Sequence, residues 1–129
     1  EHTCNVATGA ETARMMELVE HPAIGVNWDP GNAFVAGDRP FPEGYSKLPK
    51  QRLWHTHIKD AVRDPQTGKH RWMPVGKGEI EYLGYLRALR RDGYRGLISL
   101  ETHYVHPTKN KELASKESLE GLLEVLKRL

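Results

Sequence analysis

Leu97-Ile98-Ser99-Leu100-Glu101 is a short apolar run that ends in a carboxylate. It follows Asp92-Gly93-Tyr94-Arg95-Gly96, a turn-forming stretch, and precedes Thr102-His103. Two earlier stretches have the same build. Ile24-Gly25-Val26-Asn27-Trp28-Asp29 leads into Pro30-Gly31-Asn32, and Leu53-Trp54-His55-Thr56-His57-Ile58 leads into Lys59-Asp60. Each runs apolar and then delivers Asp, His or Glu near its C-terminal end. Read as strands, they present Asp29, His57 and Glu101 at one rim, which is the pattern of a metal site.

The phase of the side chains supports this. Successive residues of a strand point to opposite faces. With Asp29, His57 and Glu101 on one face, Asn27, His55 and Ser99 share it. Val26 and Trp28, Trp54 and Ile58, and Ile98 and Leu100 then take the other. Every strand is polar on one face and apolar on the other, in the same phase. In an α/β barrel the apolar face packs on helices and the polar one lines the mouth, where barrel active sites lie.

Helices separate these strands. Thr8-Gly9-Ala10-Glu11 fits a capping box, followed by a stripe of Met15, Leu18 and Val19 and a stop at Pro22. Residues 30–52 are rich in Pro and Gly and read as a long loop, with a short helix near residues 45–48. Asp64-Pro65-Gln66-Thr67-Gly68 is a turn. A helix carrying Leu83, Leu86 and Leu89 ends at Gly93. A last helix, capped by Ser115, carries Leu119, Leu122, Leu123 and Leu126. Helices alternating with strands argue for a parallel sheet of the α/β class.

Length and charge bound the function. At 129 residues, 38% hydrophobic and 28% charged, the chain is one modest globular domain. A net charge of +2 is too small to argue for nucleic acid or an anionic membrane. Cys4 is the single cysteine, so no internal disulfide forms and a reducing compartment, the cytoplasm, is the expectation. No apolar run reaches the ~18 residues that span a bilayer. The chain begins at Glu1 rather than Met and reads as a piece of a longer protein.

Each candidate has an ordinary structural reading. Asp29 would cap the turn at Pro30-Gly31, His57 would be a satisfied core histidine, and Glu101 would pair with a lysine or arginine. Three such residues at matching strand ends favour the metal site. Carboxylates with one imidazole suit Mn²⁺, Mg²⁺, Co²⁺ or Zn²⁺. His55 shares the face of His57 but lies farther from the rim, so packing or substrate contact is its expected role. Lys59 and Arg63 are candidate clamps for an anionic substrate group. Gly76-Lys77-Gly78 has the look of a phosphate cradle, although a plain turn explains it as well.

Val26-Asn27-Trp28-Asp29-Pro30-Gly31-Asn32, His55-Thr56-His57-Ile58-Lys59-Asp60, Val75-Gly76-Lys77-Gly78-Glu79-Ile80 and Gly93-Tyr94-Arg95-Gly96-Leu97-Ile98-Ser99-Leu100-Glu101 occur in that order. Together they resemble the sugar phosphate isomerase/epimerase family, the xylose-isomerase-like barrels. The resemblance implies a (β/α)₈ TIM barrel of which residues 1–129 form the C-terminal half, about strands six to eight. It implies metal ligands Glu, Asp, His and Glu at successive strand ends. The last three fall on Asp29, His57 and Glu101. The first falls on Glu1 or just upstream of it. The related endonuclease IV enzymes carry His and Asp-Arg-His where this chain has Asn32 and His70-Arg71-Trp72, which argues against a trinuclear zinc nuclease.

The resulting expectation is a divalent-metal-dependent isomerase or epimerase of a sugar or hydroxy-ketone. Glu101 or the missing upstream Glu would move a proton through a metal-stabilised enediolate. A metal-dependent dehydratase of a keto-polyol is the alternative on the same fold. A non-catalytic ligand-binding module is the alternative of another class. Alone, the strands would expose unpaired edges. Either the native chain continues before Glu1 or two copies pair as a homo-oligomer.

Overall fold

The computed structural model describes residues 5–129. Three parallel strands form the central sheet: β1 (Val26–Trp28), β2 (Leu53–Ile58) and β5 (Leu97–Leu100), in the order β1-β2-β5. All three expected strands are present. Asn27 pairs with His55 and Trp28 with Thr56 on one side of β2, and Thr56 with Ile98 and His57 with Ser99 on the other. This parallel register brings Asp29, His57 and Glu101 to one edge of the sheet.

The helix-facing phase holds across most of the sheet. Val26, Trp28, Thr56 and Ile58 are buried, and Leu100 packs partly against the same core. The Thr56 hydroxyl is satisfied there by Trp28 O at 2.8 Å and by Tyr85 Oη at 2.6 Å. Ile98, expected to be buried, is 40% exposed. Trp54 lies at the opposite end from the rim and is 48% exposed, its ring against Gly25.

Helix α1 (Gly9–Leu18) begins with the expected capping box, Thr8 and Glu11 each satisfying the other's backbone. Helix α4 (Tyr82–Arg91) follows the expected leucine pattern, and Gly93 takes the positive φ of +73° that ends it. The loop expected over residues 30–52 is instead largely helical. It contains α2 (Pro30–Val35), a kinked run through residues 40–47 with α3 (Tyr45–Lys47) at its end, and a 3₁₀ turn at Lys50–Arg52. Proline at the first position of α2 and of the kinked run is compatible with helix, since those N–H groups have no intrahelical partner. Composition therefore gave a misleading loop.

A hairpin also escaped the sequence. β3 (Asp60–Arg63) pairs antiparallel with β4 (His70–Met73) through the expected turn at residues 64–68. Its strands are only four residues each, and only the turn between them was legible.

The last helix, α5 (Lys111–Leu126), starts earlier than expected. Asn110, not Ser115, caps it, accepting from Glu112 N and Leu113 N. Its buried residues are Ala114, Ser118, Leu122 and Val125, while Leu119 and Leu123 are 46% and 47% exposed. The reason is close approach. A Cβ on Gly121 would overlap the carbonyl of Val75, so the glycine face lies against the neighbouring backbone and turns the leucines outward. α1 does the same: a Cβ on Gly9 would overlap Gly44, and Gly9, Thr12 and Met16 are buried while Leu18 is exposed.

Candidate metal centre

Asp29 is both cap and candidate ligand. As N-cap of α2 its Oδ1 accepts the Asn32 N–H at 2.9 Å, the ordinary role foreseen for it. Its Oδ2 accepts from Asn32 Nδ2 at 2.9 Å and also faces the rim. There His57 Nδ1 lies 3.6 Å from Asp29 Oδ2 and 3.3 Å from Glu101 Oε2. One ligand atom from each of Asp29, His57 and Glu101 lies within 4.8 Å of the others. Asp29 is buried, and His57 and Glu101 are half-buried.

Each of these side chains has a supporting neighbour. Asn27 Nδ2 is 3.4 Å from His57 Nε2, on the ring edge away from the carboxylates. The amide orientation and the tautomer are linked: with the Asn27 carbonyl turned to accept an Nε2–H, the Nδ1 lone pair faces the carboxylates, as a ligand requires. His55 stands perpendicular to His57 with ring centres 5.1 Å apart, so it packs against the His57 ring. His103 Nε2 lies 3.4 Å from Glu101 Oε1.

Lys59 closes the constellation. Its Nζ is 2.9 Å from Asp29 Oδ2 and 2.5 Å from Glu101 Oε2. The expected pairing of Glu101 with a cation is thus met by the residue proposed as an anion clamp. Burial alone would raise the Glu101 carboxyl, but the hydrogen bond and charge of Lys59, helped by His103, hold it at about 2. The Trp72 ring lies 5.5 Å from Lys59 Nζ and 4.9 Å from the His103 ring, so the hairpin walls one side of the site.

Arg63 is engaged elsewhere. Its guanidinium donates to Phe34 O at 2.5 Å and Gly68 O at 3.3 Å and lies over the Phe34 ring, fastening the hairpin to α2. The loop at Gly76-Lys77-Gly78 cradles an anion of the protein's own. Asp60 accepts both glycine N–H groups, each at 2.9 Å. Glu1 lies outside the described residues.

Sequence reasoning placed Asn27 on the site face without giving it a role, and it missed His103 as a neighbour of the site. A period-two extension would have found His103, which follows Glu101 as Lys59 follows His57. Trp72 was a candidate to shape the pocket, and the hairpin brings it to the rim beside Lys59 and His103.

Among the described residues no helix is long and apolar enough to cross a membrane. No curated protein matches the chain by sequence. Solved structures do match it. A xylose isomerase domain protein from Planctomyces limnophilus is 25% identical with a TM-score of 0.74, over 97% of this chain and 44% of that one. A xylose isomerase-like TIM barrel protein from Mycobacterium smegmatis, in complex with magnesium, is 28% identical with a TM-score of 0.68, over 94% and 40%. The IolI protein, with a bound zinc atom, shares the fold at 20% identity and a TM-score of 0.74, over 97% and 45%. The chain spans less than half the length of each of these structures. The family profile described as xylose isomerase-like TIM barrel matches residues 1–128. The parallel strands are therefore part of a (β/α)₈ barrel, and the chain belongs to the xylose isomerase-like TIM barrel family.

Proposed function

We propose that the chain is the C-terminal half of a divalent-metal-dependent isomerase or epimerase acting on a sugar, a sugar phosphate or a related hydroxy-ketone. The observation that carries this reading is the convergence of Asp29, His57 and Glu101 within 4.8 Å at the ends of adjacent parallel strands. Two carboxylates and one imidazole, each steadied by a neighbour, fit Mn²⁺, Mg²⁺, Co²⁺ or Zn²⁺. The magnesium and zinc of the two structural relatives support the same kind of ion. Such an ion supplies Lewis acidity to a substrate carbonyl and its neighbouring hydroxyl.

The chain's own residues then divide the work. Asp29, His57 and Glu101 hold the cation. Lys59, a donor at the rim, binds a substrate oxygen. His55 fixes the His57 ring, and Trp72 shields the site from water. Arg63 supports the wall through the hairpin. Held at about 2, Glu101 is a poor base at neutral pH, which favours its role as ligand over its role as proton carrier. Proton transfer then falls to the carboxylate that the family pattern places at or just before Glu1.

Hydrogen exchange into a ketose in D₂O with Mn²⁺ tests the reading. Deuterium should enter at carbon with the chain extended upstream and should vanish with His57→Ala. Exchange that persists in His57→Ala would remove this site from the reaction. Release of water instead of exchange would mark a dehydratase.

A further inference from the structure

The Asp29 and Glu101 carboxylates share a cation that the protein supplies itself. Lys59 Nζ contacts Asp29 Oδ2 and Glu101 Oε2, the same oxygens that face His57 Nδ1. Its side chain is 1% exposed, so the ammonium has given up nearly all its water for these contacts. Gly31 passes so close that a Cβ there would press on the Lys59 stem, and Trp72 covers the other side. Lys59 is therefore a built part of the site and not a surface charge that drifted inward.

An ammonium and a divalent ion seek the same oxygens, and two cations this close repel each other in a partly dry site. We propose that Lys59 is the resident counter-ion of this centre, competing directly with a divalent cation for Asp29 Oδ2 and Glu101 Oε2. The inference rests on the metal-holding reading above and adds the residue that sets its affinity. While the ammonium is seated, an arriving ion meets one net negative charge from the three side chains instead of two. Binding is correspondingly weak and exchangeable. When the ion enters, the ammonium leaves these oxygens while staying tethered beside them. It is then the nearest donor for a substrate oxygen.

The opposite role is physically reasonable too. Lys59 holds two carboxylates that would otherwise repel each other, and losing it would then loosen the site and weaken metal binding. The two roles predict opposite signs. Mn²⁺ is titrated into the chain extended upstream and into its Lys59→Met variant, with heat and the free-ion electron paramagnetic resonance signal as readouts. Competition predicts tightening of about tenfold or more in the variant. Equal or weaker binding by the variant overturns the inference while leaving the metal site standing. Binding by the variant alone supports it in its strongest form. Binding by neither overturns both the inference and the metal-holding reading.

A second measurement needs no variant to fold. In the unaltered chain labelled with ¹³Cε-lysine, Mg²⁺ should shift the Lys59 signal along the same isotherm as metal uptake. A Lys59 signal that stays fixed while Mg²⁺ saturates the site overturns the competition.

Discussion

Asp60 Oδ2 lies 2.9 Å from the backbone nitrogen of Gly78, and a Cβ on Gly78 would fall on that same carboxylate. The carboxylate also accepts from Gly76 N, Ala61 N and, more weakly, Ile80 N, in a position 1% exposed. Burial pushes its pKa up, and these N–H groups oppose the push. Removing the carboxylate strands buried donors. Asp60→Ala is therefore expected to cost about 3 kcal/mol in urea unfolding. A loss below about 1 kcal/mol would show that water replaces the carboxylate without difficulty.

The α5 leucines give a second test. Leu119→Ser and Leu123→Ser should each change stability by no more than about 0.5 kcal/mol, because both side chains are already exposed. Leu122→Ala, at a site 7% exposed, should cost about 2–3 kcal/mol. Gly121→Val should be worse than either serine change, since it forces α5 off the Val75 carbonyl. Thermal melts of the four variants would show whether the glycine face or the leucine face is the seat.

Acid titration gives a third. The Glu101 carboxyl, ordinarily at 4.5, is held at about 2. A depressed carboxylate contributes stability that is complete above its unfolded pKa and is lost as pH falls through the folded one. The stability gap between the native chain and Glu101→Gln should therefore shrink as pH falls from about 5 to about 2. With the side chain 35% exposed, solvent screening limits the effect to about 1 kcal/mol. A gap that stays constant over that range would mean the ion pair with Lys59 adds nothing to folding.

Asn27 supplies the fourth. Its side chain meets the far edge of the His57 ring. Asn27→Ala should leave the fold intact and weaken Mn²⁺ or Zn²⁺ binding about tenfold by freeing the imidazole to turn. Calorimetry decides it, and unchanged affinity would mean that His55 alone orients the ring.

The strand ends were legible because their signal is local. A period of two and a terminal carboxylate or imidazole placed Asp29, His57 and Glu101 on one face before any contact was known. The capping box of Thr8 and Glu11 and the stop at Gly93 were legible for the same reason. The faces of α1 and α5 were not, because leucine spacing ranks residues by hydrophobicity whereas the packing is decided by where a glycine lets two backbones meet. Gly9 and Gly121 override Leu18, Leu119 and Leu123. The kinked helices after Asp29 were hidden by prolines that sit where helices tolerate them. The buried place of Lys59 was hidden because it depends on Gly31 and Trp72, which are distant in sequence from it and from each other.

Lys59 and Asp60 are consecutive, and the chain sends one charge to the rim and the other into the glycine loop. Adjacent side chains of an extended backbone cannot point the same way, so the sorting rests on counting alone. A single residue inserted after Ile58 would take the place of Lys59 at the rim and push the ammonium into the place of Asp60, against the N–H groups of Gly76 and Gly78. Length at this junction is therefore under tighter constraint than the identity of most residues around it. A library of insertions and deletions should tolerate changes at the tip near residues 65–68 and reject them at 58–61.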